Sequence, residues 1–147
     1  MVRRALAQAP GFLALVLLPF AATGCGNSPS TPSDYAPYSQ IDLVFGEGAS
    51  AETGKVLTVN YTGWFYDLTK TDQKGLMFDT SRGYGPLSYT VGGGQVIAGW
   101  EQGVPGMRVG GVRRLVVPPS LGYGGTRRSI VPPDATLVFE IELLGVQ

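Results

Sequence analysis

From Lys55 to Tyr66 apolar and polar positions alternate, with Leu57, Val59 and Tyr61 on one side and Thr58 and Asn60 on the other. A period of two is the mark of a half-buried strand. The pattern returns from Thr136 to Leu144, where Leu137, Phe139, Ile141 and Leu143 oppose Glu140 and Glu142. Shorter strands are predicted at Ile41–Phe45, from Met77-Phe78-Asp79, at Leu87–Val91, and at Val112–Val117, which Pro118-Pro119 ends. Asp67 to Gly75 is polar and reads as an exposed loop, and Leu121 to Pro133 reads as a long Gly-, Arg- and Pro-containing loop. One stretch breaks the period. Across Val96–Gly103 the residues Val96, Ile97, Trp100 and then Val104 fall three or four apart, which puts them on one helical face. Gly92-Gly93-Gly94 precede this stretch and Pro105-Gly106 follow it. So short a helix does not persist in water by propensity alone. It is expected to dock on the sheet, with Trp100 flooring an apolar pocket. Strands in succession without crossover helices predict an antiparallel sheet, and one helix across it makes the class α+β.

Composition narrows the chemistry. In 147 residues, 22 Gly and 11 Pro favour turns over long helices. The formal charge is zero, so nothing points to nucleic acid. Histidine is absent, which excludes a Ser-His or Cys-His nucleophile and a His-ligated metal. One cysteine permits no intrachain disulfide. That cysteine closes a segment, residues 1–25, with the form of an export signal: Arg3 and Arg4, the apolar run Gly11–Leu18, then small residues. Ala22-Thr23-Gly24-Cys25 resembles a bacterial lipobox, which implies lipidation at Cys25 and a membrane-anchored protein facing the periplasm or cell surface. Gly26, where an Asp would retain, favours the outer membrane by the same resemblance. Residues 26–38 are rich in Ser and Pro and are expected to form a semi-extended tether. The domain is expected at 39–147. Losing Arg3 and Arg4 with the leader leaves nine basic against eleven acidic residues.

Catalytic signatures are sparse. Neither Gly-rich region satisfies a dinucleotide fingerprint, and Gly54-Lys55 lacks the upstream Gly of a phosphate loop. What remains are Tyr61, Phe78, Trp100, Tyr123, Ile130 and Phe139 beside turns, with Asp79 among them. Each has a plain alternative: the aromatics as core, Asp79 as a turn cap, Tyr123 as a turn residue. Arg113-Arg114 and Arg127-Arg128 read as solvated charges.

The order of the motifs carries more. Tyr61-Thr62-Gly63, Phe78-Asp79-Thr80-Ser81, Gln95 to Gly103, Gly122-Tyr123-Gly124, Val131-Pro132-Pro133 and Ala135 to Phe139 follow one another in a set that closely resembles the FK506-binding (FKBP) family of peptidyl-prolyl isomerases, over roughly Leu43 to Val146. The resemblance implies a strongly twisted antiparallel sheet wrapped around one short helix. It implies isomerisation of X–Pro bonds in exported proteins, without cofactor, metal or covalent intermediate. Trp100 matches the pocket floor, and Tyr61, Phe78 and Phe139 match its aromatic walls. Val96 and Ile97 match the pair that opens the helix, with the Ile97 N–H offered to a ligand carbonyl. Asp79 matches the carboxylate at the rim, Tyr123 a tyrosine that meets a carbonyl, and Ile130 an aliphatic residue of the overhanging loop. Macrolides of the FK506 and rapamycin type are the implied inhibitors.

There are departures from the family pattern. The Tyr61–Phe78 segment is longer than in the smallest members, on the side away from the pocket. Leu87 stands where an aromatic wall residue is common, so a slightly wider pocket is expected. The Tyr123–Pro132 loop is about one residue short and carries Arg127-Arg128, which should alter the preferred residues beside proline. With neither a flap domain nor a dimerisation domain, a monomer is expected. A proline-binding chaperone with weak turnover is the alternative, and a surface adhesion factor a third.

Overall fold

The computed structural model describes residues 35–147. The expected signal segment, Cys25 and most of the expected tether lie outside the described residues. Six strands make one antiparallel sheet: β1 (Ser39–Val44), β2 (Val56–Tyr66), β3 (Lys74–Thr80), β4 (Leu87–Thr90), β5 (Val112–Val117) and β6 (Leu137–Val146). The strand order is β1-β5-β6-β2-β3, and β4 also pairs with β2. Among the described residues there is one α-helix, α1 (Ala98–Gly103), which lies on the inner face, and one 3-10 turn at Pro119–Leu121. The architecture is the α+β arrangement that the alternation predicted. Among the described residues, no helix is long and apolar enough to cross a membrane.

The alternation works as read. Leu57 and Val59 of β2, and Leu137, Ile141 and Leu143 of β6, are fully buried. Their β-branched and aliphatic side chains fill the space between sheet and helix, and this burial is the main stabilising contribution. Element ends differ from the reading. The first strand starts earlier, at Ser39, and stops before Phe45, which is 81% exposed. The loop after β2 ends at Gln73, because Lys74 already pairs with Tyr66 and opens β3, in which Gly75 follows. Strand β6 continues to Val146, two residues further than read.

The helix is shorter than Val96–Gly103. Ile97 is its N-cap residue, with extended backbone at φ −62° and ψ 152°, so Val96 and Ile97 precede the helix instead of sharing its face. Hydrophobic spacing cannot reveal this, since an extended lead-in can point the same residues at the same cavity.

Why does α1 sit where it does? Gly99 and Gly103 are four apart and face β5. A Cβ on Gly99 would lie 2.6 Å from Val117 Cγ1, and one on Gly103 would lie 2.7 Å from Leu115 Cδ2. The bare face lets the helix backbone press onto the sheet. The helix has no side-chain cap at its start and no basic residue in its last turn. Both ends are held from outside. Glu101 accepts hydrogen bonds from the N–H groups of Gly92 (2.7 Å) and Gly94 (2.9 Å), which ties the preceding turn to the first turn of α1. Arg113 of β5 donates from Nη1 to the Gly103 carbonyl at 2.7 Å. A cation at the C-terminal carbonyls is favourable both as a donor and against the helix dipole.

Arg113 corrects the reading of Arg113-Arg114 as solvated. It shares the inner face of β5 with Leu115 and Val117 and is 8% exposed. Asp42 stands directly opposite on β1 and accepts two hydrogen bonds from its guanidinium. Arg114 points the other way and donates to Glu140 Oε1 at 2.8 Å, an oxygen it shares with Lys74 at 3.1 Å. Tyr38, just ahead of β1, donates its hydroxyl to the Gly99 carbonyl at 3.3 Å, so the domain already includes it.

Candidate active site

The helix and sheet leave one cavity of about 440 Å³ on the inner face. Trp100 is its floor, 3% exposed. Tyr61 of β2 and Phe139 of β6 stand edge-on to its ring, with centroids 5.1 Å and 5.4 Å away. Edge-to-face contact suits the ring quadrupoles and fixes the three planes relative to one another. Tyr89 of β4 packs on the far side of Trp100 at 6.1 Å. Position along the chain had marked Tyr89 only as a strand residue. Its role as support for the floor was not legible there.

Asp79 is held in place by the β2–β3 ladder. It pairs with Gly63, and Ser81 bridges back to β2, accepting the Tyr61 N–H at 2.9 Å. The missing side chain of Gly63 makes room for two rings: a Cβ there would lie 2.8 Å from Phe78 and 2.9 Å from Phe139. Both carboxylate oxygens of Asp79 are engaged. Oδ2 accepts the Tyr61 hydroxyl at 2.7 Å, and Oδ1 accepts the Thr80 N–H at 2.9 Å. Burial, the hydrogen bond to Asp79 and its charge push the Tyr61 hydroxyl far above its ordinary range. Burial likewise raises Tyr123, with Asp79 adding to the shift and Arg128 opposing it. Both phenols therefore stay protonated at neutral pH.

Tyr61, Asp79, Leu87, Val96, Ile97, Trp100, Tyr123 and Phe139 all line this cavity. Phe78 and Ile130 do not. They line an adjoining depression of about 410 Å³, together with Asp79, Tyr123 and Arg128. Phe78 packs edge-on to Phe139 at 5.7 Å, and it also lines a further depression of about 610 Å³ with Tyr61, Asp79 and Leu87. Gln95, Thr126 and Arg128 line the main cavity without having been singled out for it. Gln95 is turned to the backbone, accepting the Thr90 N–H at 2.7 Å. Its place directly before Val96 was the available signal. The longer β2–β3 turn, residues 67–73, lines neither depression.

The wall chemistry is simple. Among the described residues, the Ile97 N–H and the Tyr123 hydroxyl have no protein acceptor. No group of three or more Cys, Asp or Glu that could hold a metal occurs among the described residues. The cavity offers an apolar floor, aromatic walls and two outward donors. That suits a small apolar ring flanked by carbonyls.

Comparison with known proteins agrees with this geometry. A family model for FKBP-type peptidyl-prolyl cis-trans isomerase matches residues 47–144. An FK506-binding protein of Neisseria meningitidis serogroup B is 46% identical over 106 residues, which are 71% of this chain and 92% of that protein. FK506-binding protein 1 of Aspergillus oryzae is 41% identical over 105 residues, covering 69% and 90%. Among solved structures, AtFKBP13 superposes with a TM-score of 0.64 at 32% identity, covering 75% of this chain and 93% of that one. FkpA from Escherichia coli gives 0.62 at 35% identity, over 75% of this chain and 48% of that one. With a matched span that takes in β2 through most of β6 and the cavity between them, the chain belongs to the FKBP-type peptidyl-prolyl cis-trans isomerase family.

Proposed function

We propose that this isomerase speeds rotation about X–Pro bonds in exported proteins as they fold, and that it does so from a lipid anchor at Cys25, facing the periplasm or cell surface. The chemistry begins with the bond. Twisting a peptide bond costs about 18–20 kcal/mol because amide resonance is lost. Either side of an X–Pro barrier is nearly balanced, so exchange takes tens to hundreds of seconds. No bond is made or broken, so neither nucleophile nor cofactor is required. A twisted amide has less charge separation than a planar one, and an apolar aromatic site penalises it less. The cavity over Trp100 thus binds the transition state better than the ground state. In this reading the Ile97 N–H and the Tyr123 hydroxyl hold the substrate carbonyls and orient the bond. Asp79 acts as a positioning residue: it fixes the Tyr61 ring and transfers no proton. A million-fold acceleration requires about 8 kcal/mol of such differential binding.

The observation that carries this reading is the pairing of an aromatic-walled cavity with two uncommitted donors at its rim. The test is a cis-to-trans assay on a short X–Pro peptide, with and without a macrolide of the FK506 type. Acceleration abolished by the macrolide is expected. Macrolide binding without acceleration would replace the isomerase reading with a proline-binding chaperone. Asp79→Asn should keep binding and lose about tenfold in kcat/KM, the scale of a hydrogen bond to a charged group. Complete loss of turnover with binding intact would make Asp79 a catalytic residue instead. Cys25→Ser should leave the membrane fraction, and gel filtration should give a monomer.

A further inference from the structure

The outer lip of the cavity is a tight turn. The Arg128 N–H donates to the Val131 carbonyl at 3.1 Å, and the Val131 N–H returns to the Arg128 carbonyl at 2.8 Å. Of the two corner residues, Ser129 alone has positive φ, at 50°. That is the φ pattern of a type II′ turn. This closed ring of backbone bonds fixes where the Arg128 side chain leaves the chain. Arg128 lines the main cavity and also the adjoining depression, and only Asp79 and Tyr123 share both positions with it. A peptide leaving the cavity toward Ile130 therefore passes Arg128.

Two ionised side chains line the main cavity, Asp79 and Arg128. Asp79 is committed on both oxygens, to the Tyr61 hydroxyl and the Thr80 N–H. Arg128 is exposed and makes no ion pair with a carboxylate among the described residues. Its field reaches into the cavity, since it works against the upward shift of the Tyr123 hydroxyl. The uncommitted charge at this site is positive. A guanidinium presents a planar fork that fits a carboxylate with two hydrogen bonds. Arg127 lines neither depression.

We propose that Arg128 sets the substrate preference of this isomerase, favouring prolyl bonds flanked by an acidic residue over those flanked by a basic one. The inference rests on the cavity over Trp100 being the prolyl site. Because the pair forms in the open, attraction and repulsion together are worth about fivefold in kcat/KM, the range of exposed ion pairs.

The test uses the full chain and two peptide sets. Glu, Gln or Lys stands before proline in one set and after it in the other. At about 0.01 M salt, where the screening length is about 30 Å, Glu peptides should exceed Lys peptides by about fivefold in at least one set. At about 1 M, with about 3 Å, the two should converge. Arg128→Glu should invert the preference, while Arg127→Glu should move it by less than half as much. Equal rates for Glu and Lys in both sets, or an Arg128→Glu ratio equal to the parent's, would overturn the proposal. The same peptides titrated against tryptophan fluorescence give the ratio from binding alone. Absence of acceleration would then overturn the isomerase reading, while the binding ratio separately decides the charge preference.

Discussion

Arg113-Arg114 and Arg127-Arg128 are the same dipeptide in two settings. In β5 the period of two sends one guanidinium inward and the other outward, and the fold has placed an acid in front of each. Arg113 meets Asp42 and the end of α1, and Arg114 meets Glu140. In the lip loop both arginines are exposed, and no carboxylate among the described residues meets either in an ion pair. A charge whose hydrogen bonds are spent inside the domain is part of the architecture. One left unspent at the edge of a cavity is available to whatever enters.

The contrast can be tested by stability first. Arg113→Ala strands Asp42 and uncaps α1, so a loss of about 3 kcal/mol is expected, the lower end for breaking a buried pair because Asp42 keeps some solvent. The double variant Asp42→Ala with Arg113→Met should recover part of this in a urea denaturation. An Arg113→Ala midpoint like the parent's would erase the distinction between the two pairs. The outward member of β5 should matter less. Arg114→Ala and Glu140→Gln should each cost about 1 kcal/mol, because the network around Glu140 is only partly buried.

That same network has a sign in pH. Burial pushes the Glu140 carboxyl up, but hydrogen bonds from Arg114 and Lys74 outweigh it and hold it below its ordinary value. The stability it adds is complete above that ordinary value. It is lost as pH falls through the depressed one. Denaturation midpoints at pH 7 and pH 3 should therefore fall further for the parent than for Glu140→Gln. The smallest effects belong to the loop. Arg127→Ala and Arg128→Ala should stay within about 0.5 kcal/mol of the parent in stability. Arg128 should instead show itself in the Glu-to-Lys peptide ratio.

The strands were legible because burial on one face writes its period directly into β2 and β6. The helix was legible as a face but not in its limits, since the extended backbone of Ile97 leaves no trace in hydrophobic spacing. Glycines gave a weaker signal. Nothing in Gly99 or Gly103 alone says that Val117 and Leu115 will lie against them. At the site, the motif set named residues that come to line one cavity, yet Phe78 and Ile130 fall into the depression beside it. Arginine pairs were opaque for a clear reason. Whether a guanidinium is spent depends on acids far along the chain, as the separation of 71 residues between Asp42 and Arg113 illustrates.

The place of β6 in the sheet has a consequence in time. The last strand in chain order lies in the middle, between β5 and β2, and supplies Phe139 to the cavity wall. During synthesis, β1 through β5 emerge with their central neighbour still to come, so β5 and β2 have nothing to join them. Such non-local pairing is intrinsically slow and comes late. A growing chain therefore has no complete cavity over Trp100 until this strand is added. The surface that sets Phe139 edge-on to Trp100 is thus among the last parts of this isomerase domain to assemble.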